Sequence, residues 1–123
     1  MANAFHLTRT EQDGVVILAL SGYLDAHTAP QFERAIEAEF SAGQLKIVAD
    51  CAGLDYISSA GLGVFMSFIE DIRAAGGDIK LCAIVPKVYQ VFDVLGFPEI
   101  FDIVDTQAAA LERFRSGAAT KEV

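Results

Sequence analysis

The sequence has no tryptophan and only two cysteines, two histidines and three prolines. Cys51 and Cys82 each lie inside an apolar, strand-like segment. That is the setting of reduced core thiols, not of a disulfide. Neither cysteine nor histidine recurs at a metal-ligand spacing, so no metal site is expected. Positive charge is scarce: nine Lys and Arg stand against 17 Asp and Glu, a formal net charge of -8. The nine form no cluster. An acidic surface repels DNA, RNA and anionic lipid, which excludes all three as main partners. The longest wholly apolar run, Val15 to Leu20, is far short of the roughly 20 residues a membrane span needs. No basic segment followed by an apolar stretch opens the chain, so no secretory leader is expected. These absences predict a cytoplasmic domain.

What is present is apolar and ordered. The chain is 53% hydrophobic and 21% charged over 123 residues, enough for one domain with a real core. Phe5–Glu11 reads as a first strand, and Asp13-Gly14 is a hairpin turn. Val15–Ser21 reads as a second strand, buried on both faces and antiparallel to the first. After a loop over Gly22–His27, Thr28 is the expected N-cap of a first helix. Gln31 stands at capping-box spacing, and Phe32, Ala35, Ile36 and Phe40 share one face. Leu45–Cys51 reads as a third strand and Leu54–Ile57 as a short extended link.

Ser58-Ser59 opens a second helix reaching about Ala75, with a core stripe of Leu62, Phe65, Met66, Ile69 and Ile72. Ile79–Val85 is a fourth strand. Pro86 starts a third helix with Val88, Val91, Phe92 and Leu95 facing inward. Ile100–Val104 is a fifth strand, and Thr106 caps a last helix carrying Ala110, Leu111 and Phe114. The order β-β-α-β-α-β-α-β-α predicts an α/β fold: a mixed, mostly parallel sheet of about five strands with about four helices. The domain is expected to span residues 1–114, with 115–123 a flexible polar tail.

The informative segment is Tyr56-Ile57-Ser58-Ser59-Ala60-Gly61-Leu62-Gly63, where a strand ends and a helix begins. Ligands and partners of open α/β sheets use that edge. The first turn of a helix presents unpaired N–H groups and partial positive charge, and so tolerates phosphate. Gly61 and Gly63 are poor helix formers that leave the helix start open to close approach. The bland alternative is an ordinary Ser-Ser cap with glycines placed for packing.

With these residues in view, the chain resembles the STAS family, specifically the bacterial anti-sigma factor antagonists. Ser58-Ser59-Ala60-Gly61-Leu62-Gly63 fills the slots of that family's Asp-Ser-Ser/Thr-Gly-Leu-Gly signature. Ser21 to Pro30, containing Gly22-Tyr23-Leu24-Asp25, resembles its Gly-x-Leu/Ile-Asp segment. Val91-Phe92-Asp93-Val94-Leu95-Gly96 resembles its Leu-Phe-x-x-x-Gly ending, with Val91 in the Leu slot. The resemblance runs from about Phe5 to Phe114. It implies a STAS fold and a partner-switching mechanism. The unphosphorylated protein would bind an anti-sigma factor serine kinase, and phosphorylation would release it. A PP2C-type phosphatase would restore the serine. ATP and metal would belong to those partners, so no cofactor is expected in this chain.

The family pattern places the phosphate on Ser59. Ser58 stands where the family has Asp and Ala60 where it has a second hydroxyl, which leaves Ser59 the clearer acceptor. Asp25, His27, Ser58, Gly61 and Leu62 are the candidate partner contacts, with Asp25 equally readable as a turn residue before the first helix. A free monomer is expected. The resemblance also admits an accessory subunit of a transporter or a sensor scaffold. A hydrolase with Ser59 as nucleophile, His27 as base and Asp25 as orienter is not expected. No Gly-x-Ser-x-Gly elbow exists, and Asp25 and His27 are too close in sequence for an easy relay.

Overall fold

The computed structural model describes residues 4–117. Five strands and five helices alternate along it: β1 Phe5–Gln12, β2 Val15–Leu24, α1 Ala29–Ser41, β3 Lys46–Ile57, α2 Ser59–Ala74, β4 Asp78–Cys82, α3 Pro86–Val94, α4 Phe97–Ile100, β5 Asp102–Val104 and α5 Gln107–Ser116. The sheet order is β1-β2-β3-β4-β5. β1 and β2 are antiparallel, as the Asp13-Gly14 turn requires, and every other pairing is parallel. Mixed pairing and helical crossovers agree with the fold class expected from the element order.

The sheet lies between two layers of unequal size. The main core joins one face to α1 through α4, with Phe32, Ile36, Leu62, Phe65, Ile69 and Phe92 buried against Leu18, Leu20, Ile47 and Leu81. Phe65 is its hub: its ring meets those of Phe32, Phe92, Phe97 and Phe101 edge-on at 5.0 to 6.2 Å between centroids. Edge-to-face contact is the favoured geometry for such rings. The smaller core puts Ala110 and Leu111 of α5 on Val15, Ile17, Val48 and Cys82 of the other face. β2 is therefore covered on both sides, which explains its unbroken apolar run.

Several boundaries differ from the expectation, each for a local reason. β3 runs unbroken through the segment expected as a link. Its register against β2 shifts twice, between Ala19 and Ser21 and between Gly22 and Tyr23. Each shift adds one residue to β3, so Cys51, Leu54 and Ile57 are buried at a spacing of three instead of two. β4 ends at Cys82, before the expected Val85. Met66 is 38% exposed, off the core stripe that Phe68 joins instead. Leu95, expected to face inward, is 54% exposed, because α3 stops at Val94 and Gly96 turns the chain at φ +78° into α4. The short α4, Phe97–Ile100, was not foreseen; it takes Ile100 from the expected fifth strand, which begins instead at Asp102.

Thr28 does not cap α1 with its side chain, and no capping box forms. Its hydroxyl accepts from the Asp25 N–H at 2.9 Å and donates to the Tyr23 carbonyl at 2.8 Å. Thr106 does cap α5, accepting from Ala109 N–H at 3.0 Å. Of the expected tail, Arg115 and Ser116 belong to α5, while 118–123 lie outside the described residues.

An ionic cluster pins the amino ends of β4 and β5. Lys80 Nζ, 2% exposed, donates to Asp78 Oδ2 at 3.0 Å and Asp102 Oδ2 at 3.2 Å. It also lies 4.7 Å from the centroid of the Phe114 ring. Arg113 of α5 grips both Asp102 oxygens at 2.8 and 3.0 Å. Arg73 of α2 donates to Asp78 at 2.9 Å and to the Ile100 carbonyl at 2.6 Å. Burial alone would raise the Asp102 pKa, but hydrogen bonds and charge from Arg113 and Lys80 outweigh it and hold the carboxyl below its ordinary range. Both cysteines are free and buried. Burial, with Asp50 adding to it, pushes the Cys82 thiol up to about 12, and burial drives Cys51 higher still. Both therefore stay protonated and inert.

Candidate functional site

The site forms at the carboxyl ends of β2 and β3, where Leu24 pairs with Ile57. One residue on, the Ser58 N–H donates to the Leu24 carbonyl at 2.9 Å. This bond ties the start of α2 to the Asp25 turn. The two segments singled out in the sequence, around Asp25 and around Ser59, thus meet at one edge of the sheet.

The two adjacent serines have opposite fates. Ser58 occupies the N-cap position in extended conformation, yet its side chain makes no capping hydrogen bond. Its Oγ is buried without a hydrogen-bond partner. Ser59, the first helical residue, is exposed. The hydroxyl offered to solvent is therefore that of Ser59, on a helix turn whose first N–H groups have no intrahelical acceptors.

The glycines of this turn differ as well. A Cβ on Gly61 would sit 2.8 Å from Leu24 Cγ and 2.9 Å from Ile57 Cγ1, whereas one on Gly63 would meet nothing within 4 Å. Gly61 is thus a packing residue that lets α2 press onto the ends of β2 and β3. Leu62 is 3% exposed and belongs to the core, although it also floors a groove beside Ser59. That groove, about 410 Å³, lies between α2 and α3 and is lined by Ser59, Leu62, Lys87, Gln90, Val91, Val94 and Leu95. Val94 is 83% exposed and Leu95 54%. Lys87, Val94 and Leu95 were not among the candidate contacts read from the sequence, where Leu95 was expected in the core. The signal was Leu95 followed by Gly96, a helix end that turns its last apolar residues outward.

Asp25 is committed to its own turn. Its Oδ1 accepts from the N–H of His27 at 2.9 Å and of Thr28 at 3.1 Å. Its carbonyl accepts from the Ala29 N–H at 2.7 Å. The turn-residue reading describes this geometry: Asp25 closes the turn that leads into α1, and no side chain caps the helix itself. His27 is exposed. Tyr23 and Tyr56 stack at 5.3 Å between ring centroids near the same edge. Among the described residues no group of His, Cys, Asp and Glu is arranged to hold a metal ion, and no helix is long and apolar enough to cross a membrane.

The family model of the STAS domain matches residues 6–110, nearly all of the described chain. The chain belongs to the STAS domain family. Among its STAS relatives is BtrV of Bordetella bronchiseptica, named as a candidate anti-sigma factor antagonist. It is 36% identical over 110 residues, covering 89% of this chain and 95% of that protein. The anti-sigma F factor antagonist of Paenibacillus polymyxa is 32% identical over 99 residues, 80% of this chain and 85% of that protein. Among solved structures, the Bacillus antagonist SpoIIAA superposes in its unphosphorylated and its phosphorylated form. Each has a TM-score of 0.70 and 25% identity over 91% of this chain, covering 98% and 100% of those chains.

Proposed function

We propose that this STAS protein is a cytoplasmic anti-sigma factor antagonist whose docking is switched by phosphate on Ser59. Unphosphorylated, it binds an anti-sigma factor serine kinase. Phosphorylated, it is released, and a PP2C-type phosphatase returns it to the binding form. It acts by binding and not by catalysis, as a monomer when free. The observation that carries this reading is the contrast within Ser58-Ser59: one hydroxyl is buried, and the next stands exposed on the first turn of α2. The relatives named as antagonists, and a relative solved in a phosphorylated form, support the assignment.

The physics of the switch is local. Phosphoserine adds about -1.5 to -2 charges at neutral pH. The first turn of a helix accommodates that charge, so the fold persists. In an interface the same dianion must shed water and find cations, a cost of about 4 kcal/mol being a thousandfold in affinity. The docking surface centres on Ser59 and takes in the neighbouring apolar groove, and the exposed His27 is a further candidate contact. Ser58 and Gly61 shape this surface from beneath.

The test is to incubate the protein with its cognate kinase and ATP and map the modified residue by mass spectrometry. Phosphate on Ser59, and none in a Ser59→Ala protein, is the expected result. Phosphate elsewhere, with Ser59 unmodified, overturns the assignment.

A further inference from the structure

We infer that Lys87 is the built-in counter-ion of phosphate on Ser59, a pairing that closes the mouth of the groove between α2 and α3 in the phosphorylated protein. The inference rests on Ser59 as the phosphorylated residue and concerns what this chain does with the phosphate once it is there.

Three observations carry it. First, Lys87 and Ser59 line the same cavity of about 410 Å³, from opposite helices. Second, both residues are exposed, so neither must leave a packed position to reach the other. Third, Lys87 is uncommitted. Arg9, Arg73, Lys80, Arg113 and Arg115 form salt bridges, whereas Lys87, like Arg34 and Lys46, forms none among the described residues, and of these three only Lys87 lines the groove. A cation has thus been placed, without a carboxylate to hold it, beside the one hydroxyl the helix start presents to solvent. The other walls of the groove offer no competing anion: Leu62, Gln90, Val91, Val94 and Leu95 are neutral.

A lysine ammonium on a flexible stem suits this task. It follows a phosphate as a point charge and forms charge-assisted hydrogen bonds without a fixed approach. The α2 amides and the ammonium would flank the phosphoryl oxygens from two sides, and the lysine stem would lie along the apolar floor. The released state then has two parts. The dianion repels an incoming partner, and the pair it forms covers the apolar surface that partner would bury.

The test uses full-length protein with phosphoserine incorporated at position 59 during translation, so that it does not depend on any kinase. The phosphate is titrated by phosphorus-31 NMR at low salt. A lysine pairing with the dianion lowers the midpoint of its second ionisation, ordinarily near pH 6, by about half a unit. Lys87→Ala should raise the midpoint by that amount and Lys87→Arg should leave it low. Arg34→Ala, which removes an exposed cation on α1, should not move it. Equal midpoints in the parent and the Lys87→Ala protein would overturn the pairing. Failure of kinase mapping to find phosphate on Ser59 would instead overturn the site assignment, so the two failures are distinguishable.

Discussion

The two ends of the sheet's parallel strands are built to opposite rules. At the amino ends of β4 and β5, Asp78, Lys80, Asp102, Arg113 and Arg73 are bound to one another across α2, β4, β5 and α5, with Arg73 Nη1 the one buried nitrogen or oxygen of the cluster's side chains without a partner. At the carboxyl ends of β2 and β3, the N-cap hydroxyl of Ser58 is unpaired, the Ser59 hydroxyl is exposed, and apolar Val94 and Leu95 face solvent. One end holds the fold together, and the other leaves polar and apolar groups open. Buried polar groups are normally satisfied, so a helix start that declines an available cap is informative.

That comparison can be broken most severely at Lys80. Lys80→Ala leaves Asp78 and Asp102 buried with less compensation, and should cost about 3–5 kcal/mol in denaturant unfolding. A cost under about 1 kcal/mol would show that the amino end does not anchor the fold. At the carboxyl edge, Gly61→Ala should cost about 1–3 kcal/mol by forcing Leu24 and Ile57 apart. Gly63→Ala should be neutral or stabilise by up to about 1 kcal/mol, since nothing opposes its Cβ and alanine is the better helix former. Equal effects at the two glycines would remove the distinction between a packed and an open side of α2.

The pH dependence sharpens the same contrast. Asp102 is held below its ordinary range in the folded state, so its contribution is fully present above about pH 4. It is lost as the pH falls through the lowered folded value. Stability curves of parent and Asp102→Asn, measured from pH 7 to pH 2, should therefore converge toward the acid end. Parallel curves would contradict the assigned role. The smallest effect is expected at Ser58. Ser58→Ala removes a buried hydroxyl that has no partner to lose, so unfolding should change by less than about 0.5 kcal/mol or shift toward stability. A loss above about 1 kcal/mol would mean that the hydroxyl is satisfied after all.

The carboxyl edge was largely legible in the sequence because its parts are local. The Ser58-Ser59 helix start, Gly61 and the apolar spacing of α2 each act within a few residues, as does the Asp13-Gly14 turn at the opposite, amino end of β2. The amino-end cluster was not legible, because Lys80 meets Asp102 across 22 residues and neither position breaks a local pattern. The double bulge in β3 was seen only as an interruption: a period of three at Cys51, Leu54 and Ile57 matches neither a strand nor a helix. α4 hid for a similar reason, as a single turn of four residues with proline inside it carries no period. Leu95 was misplaced because its helical spacing was right but the helix ended one residue earlier.

In the proposed switch, charge on one side chain at the open edge decides docking. The most direct measurement is the affinity of the cognate anti-sigma kinase for this protein with serine and with phosphoserine at position 59, determined by calorimetry at matched salt. A loss on the order of a hundredfold or more upon phosphorylation is predicted, about 3 kcal/mol or greater. Equal affinities for the two forms, with the fold of both intact, would contradict it.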